Sequence, residues 1–238
     1  MRTICCLVAI AGASAAAMAD TVQLRFDNVG AGRNVRMSIG TTSFNCFAGQ
    51  LIHNFSGGTG AASGLTGDMI TFCSDLTQEV TRTGATYTLT GIQNLPQTIG
   101  FGPMGDAKKQ AIYDMYSAAS GQQMGTNADM AAAFQLAIWE VIYDYNGNAS
   151  SLNLTSGQLR AGSTTGGALS SGILSDASFL FGAIGRNAAQ TGLLGLSNGL
   201  FQDQILQTVQ LVPLPLASLA GLLGLGVVAY VKRRRLAR

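Results

Sequence analysis

The spacing of apolar residues changes in the middle of this chain, from alternation to a helical period. In residues 21–27, Val22, Leu24 and Phe26 alternate with polar residues, which is typical of a half-buried strand. In residues 106–119 the apolar residues recur every three or four positions instead, and Gly121 follows as a stop signal. Strand patterns on both sides of a helical stretch predict an α+β domain.

The same patterns predict the remaining elements. A turn at Gly30-Ala31-Gly32 is expected to separate the first two strands. A capping box at Thr126 and Asp129 is expected to begin the second helix. Further strands are predicted at residues 35–39, 44–52, 69–76, 85–90, 193–196 and 205–211, and further helices at residues 130–143 and 174–189. We therefore expect an antiparallel β-rich body, a sandwich or a barrel, with a helical insert.

Both ends of the chain are apolar in a way that predicts targeting. Residues 1–19 combine a positive start at Arg2, an apolar stretch and a small-residue cleavage site at Ala17-Met18-Ala19, which predicts a secretory signal peptide. Residues 214–231 carry no charge and are just long enough to cross a membrane as one C-terminal transmembrane helix. The domain between these segments, residues 20–211, is then expected outside the cell.

A basic tail, residues 232–238, follows the apolar segment and places its C-terminal end in the cytoplasm. Its charges are Lys232, Arg233, Arg234, Arg235 and Arg238. Directly before the segment stands Val212-Pro213-Leu214-Pro215, whose two prolines hold the backbone extended. A Pro-x-Pro motif, an apolar span and an arginine cluster in this order resemble the PEP-CTERM family of sorting signals in its VPLPA-type form, with Leu216 in place of the alanine.

This resemblance implies that residues 212–238 are a sorting signal. Proteins of that kind are recognised by an exosortase, a membrane enzyme that cuts near the motif. The resemblance therefore implies a precursor anchored in the inner membrane, which is then delivered to the cell surface or the extracellular matrix.

The charges of the domain exclude one class of partner. The chain has 14 lysines and arginines, of which Arg2 and five tail residues lie in the end segments, so eight remain in the domain against twelve aspartates and glutamates. A domain with this negative balance lacks the basic surface of a nucleic-acid-binding protein.

Patterns for catalysis or metal binding are sparse. His53 is the single histidine, and at a strand end we expect it to be a surface or structural residue. No Gly-x-Ser-x-Gly motif is present, and zinc would need clustered histidines and cysteines. Residues 144–148 resemble the start of a calcium loop, but Ala149 and Thr155 replace its required glycine and glutamate. We therefore expect a turn there, no cofactor, no metal and no enzymatic activity.

Removal of the signal peptide leaves two cysteines, Cys46 and Cys73, in an oxidising compartment. A disulfide between Cys46 and Cys73 on neighbouring strands is one interpretation. In the chain-entropy model such a bridge stabilises the fold by about 3 kcal/mol.

Two short segments give Cys73 a different role. Phe72-Cys73-Ser74-Asp75-Leu76 and Gln135-Leu136-Ala137-Ile138-Trp139 resemble the signature segments of bacterial thioester domains. In that family a cysteine on a strand and a glutamine on a helix form an internal thioester, which an amine opens to leave a permanent amide bond. The resemblance implies that Cys73 is the nucleophile and acyl carrier and that Gln135 is the acyl donor.

A thioester persists in water only where water is kept away from it. The apolar residues expected to shield it are Phe72, Phe134, Ile138 and Trp139. Burial also raises the pKa of a cysteine, so a polar group must assist the attack. The candidates for that group are Asp75, Tyr87 and Tyr143.

Two hypotheses about function stay open. The first is an exosortase-sorted adhesin whose thioester couples to surface amines, with the membrane, the exosortase and an exopolysaccharide as further partners. The second is a non-reactive structural domain of the surface or matrix, held by a disulfide between Cys46 and Cys73.

Overall fold

A computed structural model describes residues 19–96 and 102–208 of the chain. These residues form seven strands and three α-helices, joined by loops and short 3-10 turns. The strands are β1 (Thr21–Ile39), β2 (Thr42–Ser56), β3 (Gly67–Cys73), β4 (Ala85–Thr90), β5 (Leu159–Gly162), β6 (Leu193–Ser197) and β7 (Gln204–Gln207). The helices are α1 (Gly105–Ser120), α2 (Ala128–Asp144) and α3 (Ser171–Phe181).

The sheet closes on itself. Going round the ring, the antiparallel neighbours are β1, β2, β3, β7, β6 and β4, and β4 pairs again with β1. Strand β5 pairs with the far end of β1, outside this ring. The prediction of an α+β fold with an antiparallel β-rich body is confirmed, and the body is a barrel.

The inner face of the barrel follows from the strand register. Residues that are paired across two strands point to the same face, because side chains alternate along each strand. Val22 is paired with Tyr87 and Leu24 with Phe55, and all four are buried. They form one apolar cluster with Ala62, Leu196 and Leu206. The outer face carries Phe72, which contacts the helices instead.

The helices lie between β4 and β6 in the sequence, which is the expected helical insert. Helix α2 is buried along nearly its whole length and is the central element of the larger apolar core. The predicted capping box at its start is wrong. Asn127 caps the helix instead, since its side chain accepts a hydrogen bond from the Met130 nitrogen at 3.1 Å. Asp129 pairs with Arg33 at 2.6 Å.

The turn expected at Gly30-Ala31-Gly32 is also wrong. Strand β1 continues through these residues and pairs with β2, with register shifts between Phe26 and Asn28 and between Val29 and Gly32. A Cβ atom at Gly32 would lie 2.4 Å from the Ala48 carbonyl oxygen. The glycine therefore permits close approach of two strands at an irregular pairing, a use that resembles a turn signal in the sequence.

The predicted targeting segments lie outside the described residues. Of the predicted signal peptide, residues 1–19, the structure describes only Ala19, and it describes none of residues 212–238. Within residues 19–96 and 102–208, no helix has the length and apolar character needed to cross a membrane.

Candidate functional site

Cys73 is the last residue of β3 and belongs to the inner face of the barrel. It is paired with Gln204 of β7, and Thr71, two residues earlier, is the last residue of β3 that is paired with β2, opposite Leu51. Beyond that pair β2 leaves the ladder. The backbone of Cys73 therefore needs another partner on this side, because a buried peptide group is costly without one.

Gln135 of α2 supplies this partner. Its Oε1 accepts a hydrogen bond from the Cys73 nitrogen at 2.8 Å, and its Nε2 donates one to the Cys73 carbonyl oxygen at 2.8 Å. The carboxamide thus takes the place that a residue of β2 would have had in the ladder. Gln135 is fully buried. The structure brings together the two residues that the sequence singled out, although they lie 62 positions apart.

The four residues expected to shield this contact belong to the same apolar cluster as Cys73. Phe72, Phe134, Ile138 and Trp139 are all buried. The rings of Phe72 and Phe134 pack edge to face with centroids 4.9 Å apart, which joins the outer face of β3 to α2 beside the contact. Bulk water is therefore excluded from Gln135 on the helix side.

The other side of Cys73 opens into a cavity of about 390 Å³. Its walls are mostly apolar. They are formed mainly by residues of β1, of β2, of the loop after β3 and of α2. Among the described residues that line it, Glu79 alone carries a charge. The others include both cysteines, Trp139 and Gln202, together with Phe26, Val29, Phe44, Phe47, Leu51, Leu76 and Val80. Cys73, although buried, therefore borders a mostly apolar cavity.

The sulfur of Cys73 donates a hydrogen bond to Oε1 of Gln202 at 2.7 Å. Gln202 follows β6 and precedes β7, and its Nε2 donates to the Asp75 carbonyl oxygen. Burial raises the pKa of the Cys73 thiol far above its usual value, and the nearby Cys46 and Asp75 raise it further. At neutral pH the group is therefore a neutral thiol that is held in one position.

Cys46 lines the same cavity and is also a free thiol. Burial raises its pKa to about 12. It lies five residues before Leu51, where the pairing of β2 with β3 begins, so the two cysteines do not face each other across a ladder. The disulfide between Cys46 and Cys73 is not formed in this structure, and for the oxidised protein it stays a prediction.

The three polar candidates occupy different places. Tyr87 donates its hydroxyl hydrogen to the Gln202 carbonyl oxygen at 3.2 Å, so it supports Gln202 rather than the sulfur. Asp75 Oδ1 accepts hydrogen bonds from the backbone nitrogen and the hydroxyl of Thr77 at 2.7 and 2.8 Å. Burial, and then the charge of Asp75, raise the pKa of Tyr143 to about 12. Tyr87 and Asp75 thus support the surroundings of Cys73, while Tyr143 stays protonated at neutral pH.

Two glutamines that the sequence did not single out complete the surroundings of the sulfur. Gln202 accepts a hydrogen bond from the thiol, and Gln204 donates from Nε2 to both oxygens of Gln202, at 3.1 Å to the carbonyl and 3.3 Å to Oε1. No sequence motif marks such residues, since glutamines beside a short strand are ordinarily exposed. The pairing that places Gln204 opposite Cys73 becomes visible only when the order and register of the strands are known.

His53 and Glu140 are buried ionisable residues. His53 is structural rather than exposed: its Nδ1 is 2.9 Å from the Thr71 hydroxyl, and burial lowers its pKa to about 4. Glu140 was not singled out by the sequence. Its Oε1 accepts from the Asn153 nitrogen at 2.7 Å, and burial raises its pKa to about 7.

The calcium-like run begins with a residue that has another role. The Asp144 carboxylate accepts hydrogen bonds from the backbone nitrogens of Gln158 and Leu159, at 3.0 and 2.9 Å. It therefore ties the end of α2 to β5. In the part of the chain that the structure describes, no three carboxylates, histidines or cysteines are grouped as metal ligands.

Searches of protein-family models, of curated proteins and of solved structures found no match to this chain.

Proposed function

We propose that this protein is an exported surface protein whose barrel domain forms an internal thioester between Cys73 and Gln135 and uses it to bind amines covalently. The observation that carries the proposal is the pair of 2.8 Å hydrogen bonds between the Gln135 carboxamide and the Cys73 backbone. The Gln135 carboxamide is thereby held against the residue that carries the thiol, in a buried and mostly apolar region.

The proposed formation step is an exchange of nitrogen for sulfur. The Cys73 sulfur is three covalent bonds from its own nitrogen, and that nitrogen already donates to Gln135 Oε1. Rotation about the Cα–Cβ bond of Cys73 moves the sulfur toward the Gln135 carboxamide carbon. The S–C bond forms, the C–N bond breaks, and the nitrogen leaves as ammonia with the proton of the thiol.

The same hydrogen bonds assist this step. Negative charge develops on Gln135 Oε1 in the tetrahedral intermediate, and the Cys73 N–H already points at this oxygen. One such donor typically contributes a factor of about 10² to 10³ in rate. The raised pKa of Cys73 opposes the attack, so formation is expected to be slow and to accompany folding.

Capture of a target runs in the opposite direction. A neutral amine attacks the thioester carbonyl carbon, the C–S bond breaks, and the amine's proton passes to the sulfur as the amide forms. The cavity lined by Trp139 and Glu79 also borders Cys73, and its volume of about 390 Å³ lies in the range of sites that take small molecules. Glu79, a charged residue of this cavity, attracts a cationic amine, which must release one proton to solvent before it attacks as the neutral amine.

The localisation is proposed from the sequence. Residues 1–19 would direct export, and residues 212–238, with a transmembrane helix at residues 214–231, would serve as the exosortase sorting signal. A domain with a covalent amine-binding group and no catalytic constellation in its sequence fits an adhesive surface role.

Methylamine tests the proposal. The exported protein is treated with methylamine and digested, and the peptide that contains Gln135 is examined by mass spectrometry. We expect a methylamide at Gln135, and none after Cys73→Ala. Cys46→Ala is the matched control, because it removes the neighbouring thiol and should leave the product unchanged. Modification of Gln135 that persists in Cys73→Ala would contradict the proposal.

A second candidate function is favoured by one observation, the shared cavity of Cys46 and Cys73. In this alternative the domain is a non-reactive structural component of the surface, and oxidation joins the two thiols. The methylamine product is then absent, and the protein is lighter by two hydrogen atoms until it is reduced.

A further inference from the structure

The inside of the barrel contains a buried chain of hydrogen bonds that ends at the Cys73 sulfur. His53 Nδ1 is 2.9 Å from Thr71 Oγ1, and Thr71 Oγ1 donates to Gln204 Oε1 at 2.9 Å. Gln204 Nε2 then donates to Gln202 Oε1, the same oxygen that accepts the Cys73 thiol. His53, Thr71 and Gln204 are each buried.

The direction of these bonds is determined by chemistry. Since the Thr71 hydroxyl donates to Gln204, it accepts from His53, so the proton of the neutral imidazole lies on Nδ1. The low pKa of His53 is consistent with this neutral form. With its oxygen engaged by Thr71, the Gln204 carboxamide must direct its Nε2 toward Gln202 and the sulfur. These hydrogen bonds thus orient an N–H group of Gln204 beside Cys73.

We propose that Gln202 and Gln204 are positioning residues for Cys73, and that Thr71 and His53 hold Gln204 in place. Gln202 Oε1 accepts a hydrogen bond from the neutral thiol and keeps the sulfur at the cavity. Gln204 Nε2 supplies the donor that the sulfur needs when it carries negative charge, during attack and when an amine displaces it. The proposal rests on the proposed function, in which Cys73 is the nucleophile.

The burial of these polar groups supports this role. A barrel interior of this size is filled most simply by apolar side chains, and each buried polar group needs a partner to avoid a penalty of about 1 to 3 kcal/mol. Hydrogen bonds join these four side chains and converge on one thiol, and of their polar atoms only His53 Nε2 is buried without a partner. Gln204 is also the residue directly opposite Cys73 in the ladder of β3 and β7, so its side chain and the sulfur lie on the same face.

Gln202 itself is a poor acyl donor. A thiol that donates to a carboxamide oxygen lies near the plane of that carboxamide, whereas attack on the carbon requires approach from above the plane. Its Nε2 is held by the Asp75 carbonyl oxygen and its backbone carbonyl by Tyr87 and Gln204. These contacts hold Gln202 in the position of an acceptor.

The two glutamines have opposite effects on the thiolate, and this makes the proposal testable. Gln202 stabilises the neutral thiol, and Gln204 stabilises the anion. Loss of Gln202 should therefore make Cys73 more reactive toward an alkylating reagent, and loss of the Thr71 hydroxyl should make it less reactive. A general loosening of the barrel would raise the reactivity in both cases.

The experiment follows alkylation of Cys73 by iodoacetamide as a function of pH, in a full-length Cys46→Ala, Gln135→Ala parent. No Cys73–Gln135 thioester can form in this parent, so the result is independent of whether the proposed function is correct. The product is measured on the peptide that contains Cys73. The other ionisable groups around the sulfur, which stay in place, are His53, Asp75, Glu79, Tyr87 and Asp203.

We expect Thr71→Val to lower the alkylation rate at pH 8 about tenfold and to shift the profile to higher pH by about one unit, in keeping with one pKa unit per 1.4 kcal/mol. Thr71→Ser, which keeps the hydroxyl, should recover most of the lost rate. Gln202→Met should raise the rate several-fold. Thr88→Val makes the same change on the exposed face of β4 and serves as the matched control.

Two results would overturn the proposal. One is a Thr71→Val profile that coincides with that of Thr88→Val. The other is a change of the same sign for Thr71→Val and Gln202→Met. If Thr71→Val does not fold, Gln202→Met decides alone, since this half-buried residue tolerates substitution more easily: a rate equal to or below that of the parent contradicts the assigned role.

Discussion

The Gln135 carboxamide forms both of its hydrogen bonds with the backbone of Cys73, at 2.8 Å each, and so completes the edge of β3 where β2 has left it. This contact serves the fold and the proposed chemistry together. It satisfies two buried peptide groups, and it holds the carbon of the carboxamide next to the residue that carries the thiol.

Replacing Gln135 by leucine is expected to destabilise the fold. The change leaves the N–H and the carbonyl of Cys73 without partners in a buried site, at a cost of about 1 to 3 kcal/mol for each. We expect a loss of about 2 to 4 kcal/mol in urea unfolding, measured in a Cys73→Ala background so that no cross-link contributes. Gln122→Leu, at an exposed position, should change the stability by less than about 0.5 kcal/mol. Equal effects of the two substitutions would show that the contact adds nothing to stability.

Glu140 predicts a pH dependence of stability. Its pKa is about 4.5 in the unfolded chain and about 7 in the fold, because burial disfavours the carboxylate. The folded protein therefore binds the proton more tightly, and its extra stability, present below pH 4.5, is lost as the pH rises to about 7. The loss should be about 2 to 3 kcal/mol.

The measurement compares the wild type with Glu140→Gln between pH 4 and pH 8. Burial lowers the pKa of His53 to about 4, so His53 makes the stability rise with pH over part of this range, but this contribution is common to both proteins and cancels in their difference. We expect the stability of the wild type to fall relative to that of Glu140→Gln as the pH rises. A constant difference would mean that Glu140 does not carry the titration.

Several of these features follow from the sequence and others do not. The predicted bounds of α2 (residues 130–143) and of β4 (residues 85–90) lie close to the observed ones, because a long run without helix breakers and a short run of β-branched and aromatic residues are clear local signals. The partnership of Cys73 with Gln135 came from a resemblance in two short segments. Gln202, Gln204 and Glu140 were missed because their roles depend on which strands and loops become neighbours. Gly32 was predicted to lie in a turn because close strand approach and a turn both favour glycine.

Trp139 is expected to protect the proposed thioester from water. It is buried, it lines the cavity beside Cys73, and it lies one helical turn after Gln135. Trp139→Ala should widen the cavity and speed hydrolysis of the thioester at least tenfold, which mass spectrometry follows as the gain of one water. Phe179→Ala, at an exposed aromatic residue on α3, is the control and should leave the hydrolysis rate unchanged. Identical rates for the two variants would remove Trp139 from the proposed shield.

The proposed sorting signal has its own test. Pro213→Ala combined with Pro215→Ala should leave full-length protein in the membrane, because a protease needs an extended peptide and alanine permits a helix there. Immunoblots of membrane and surface fractions measure the outcome, and Pro96→Ala provides a proline control outside the motif. Normal processing of the double variant would refute the sorting assignment.

The intact mass of the exported protein tests the central claim most directly. A thioester between Cys73 and Gln135 lowers the mass by one ammonia, and the deficit should be present in the wild type and in Cys46→Ala. It should be absent from Cys73→Ala and from Gln135→Ala, and reductant should not restore it. An unmodified mass with two titratable thiols, or a loss of two hydrogen atoms that reductant reverses, would contradict the account.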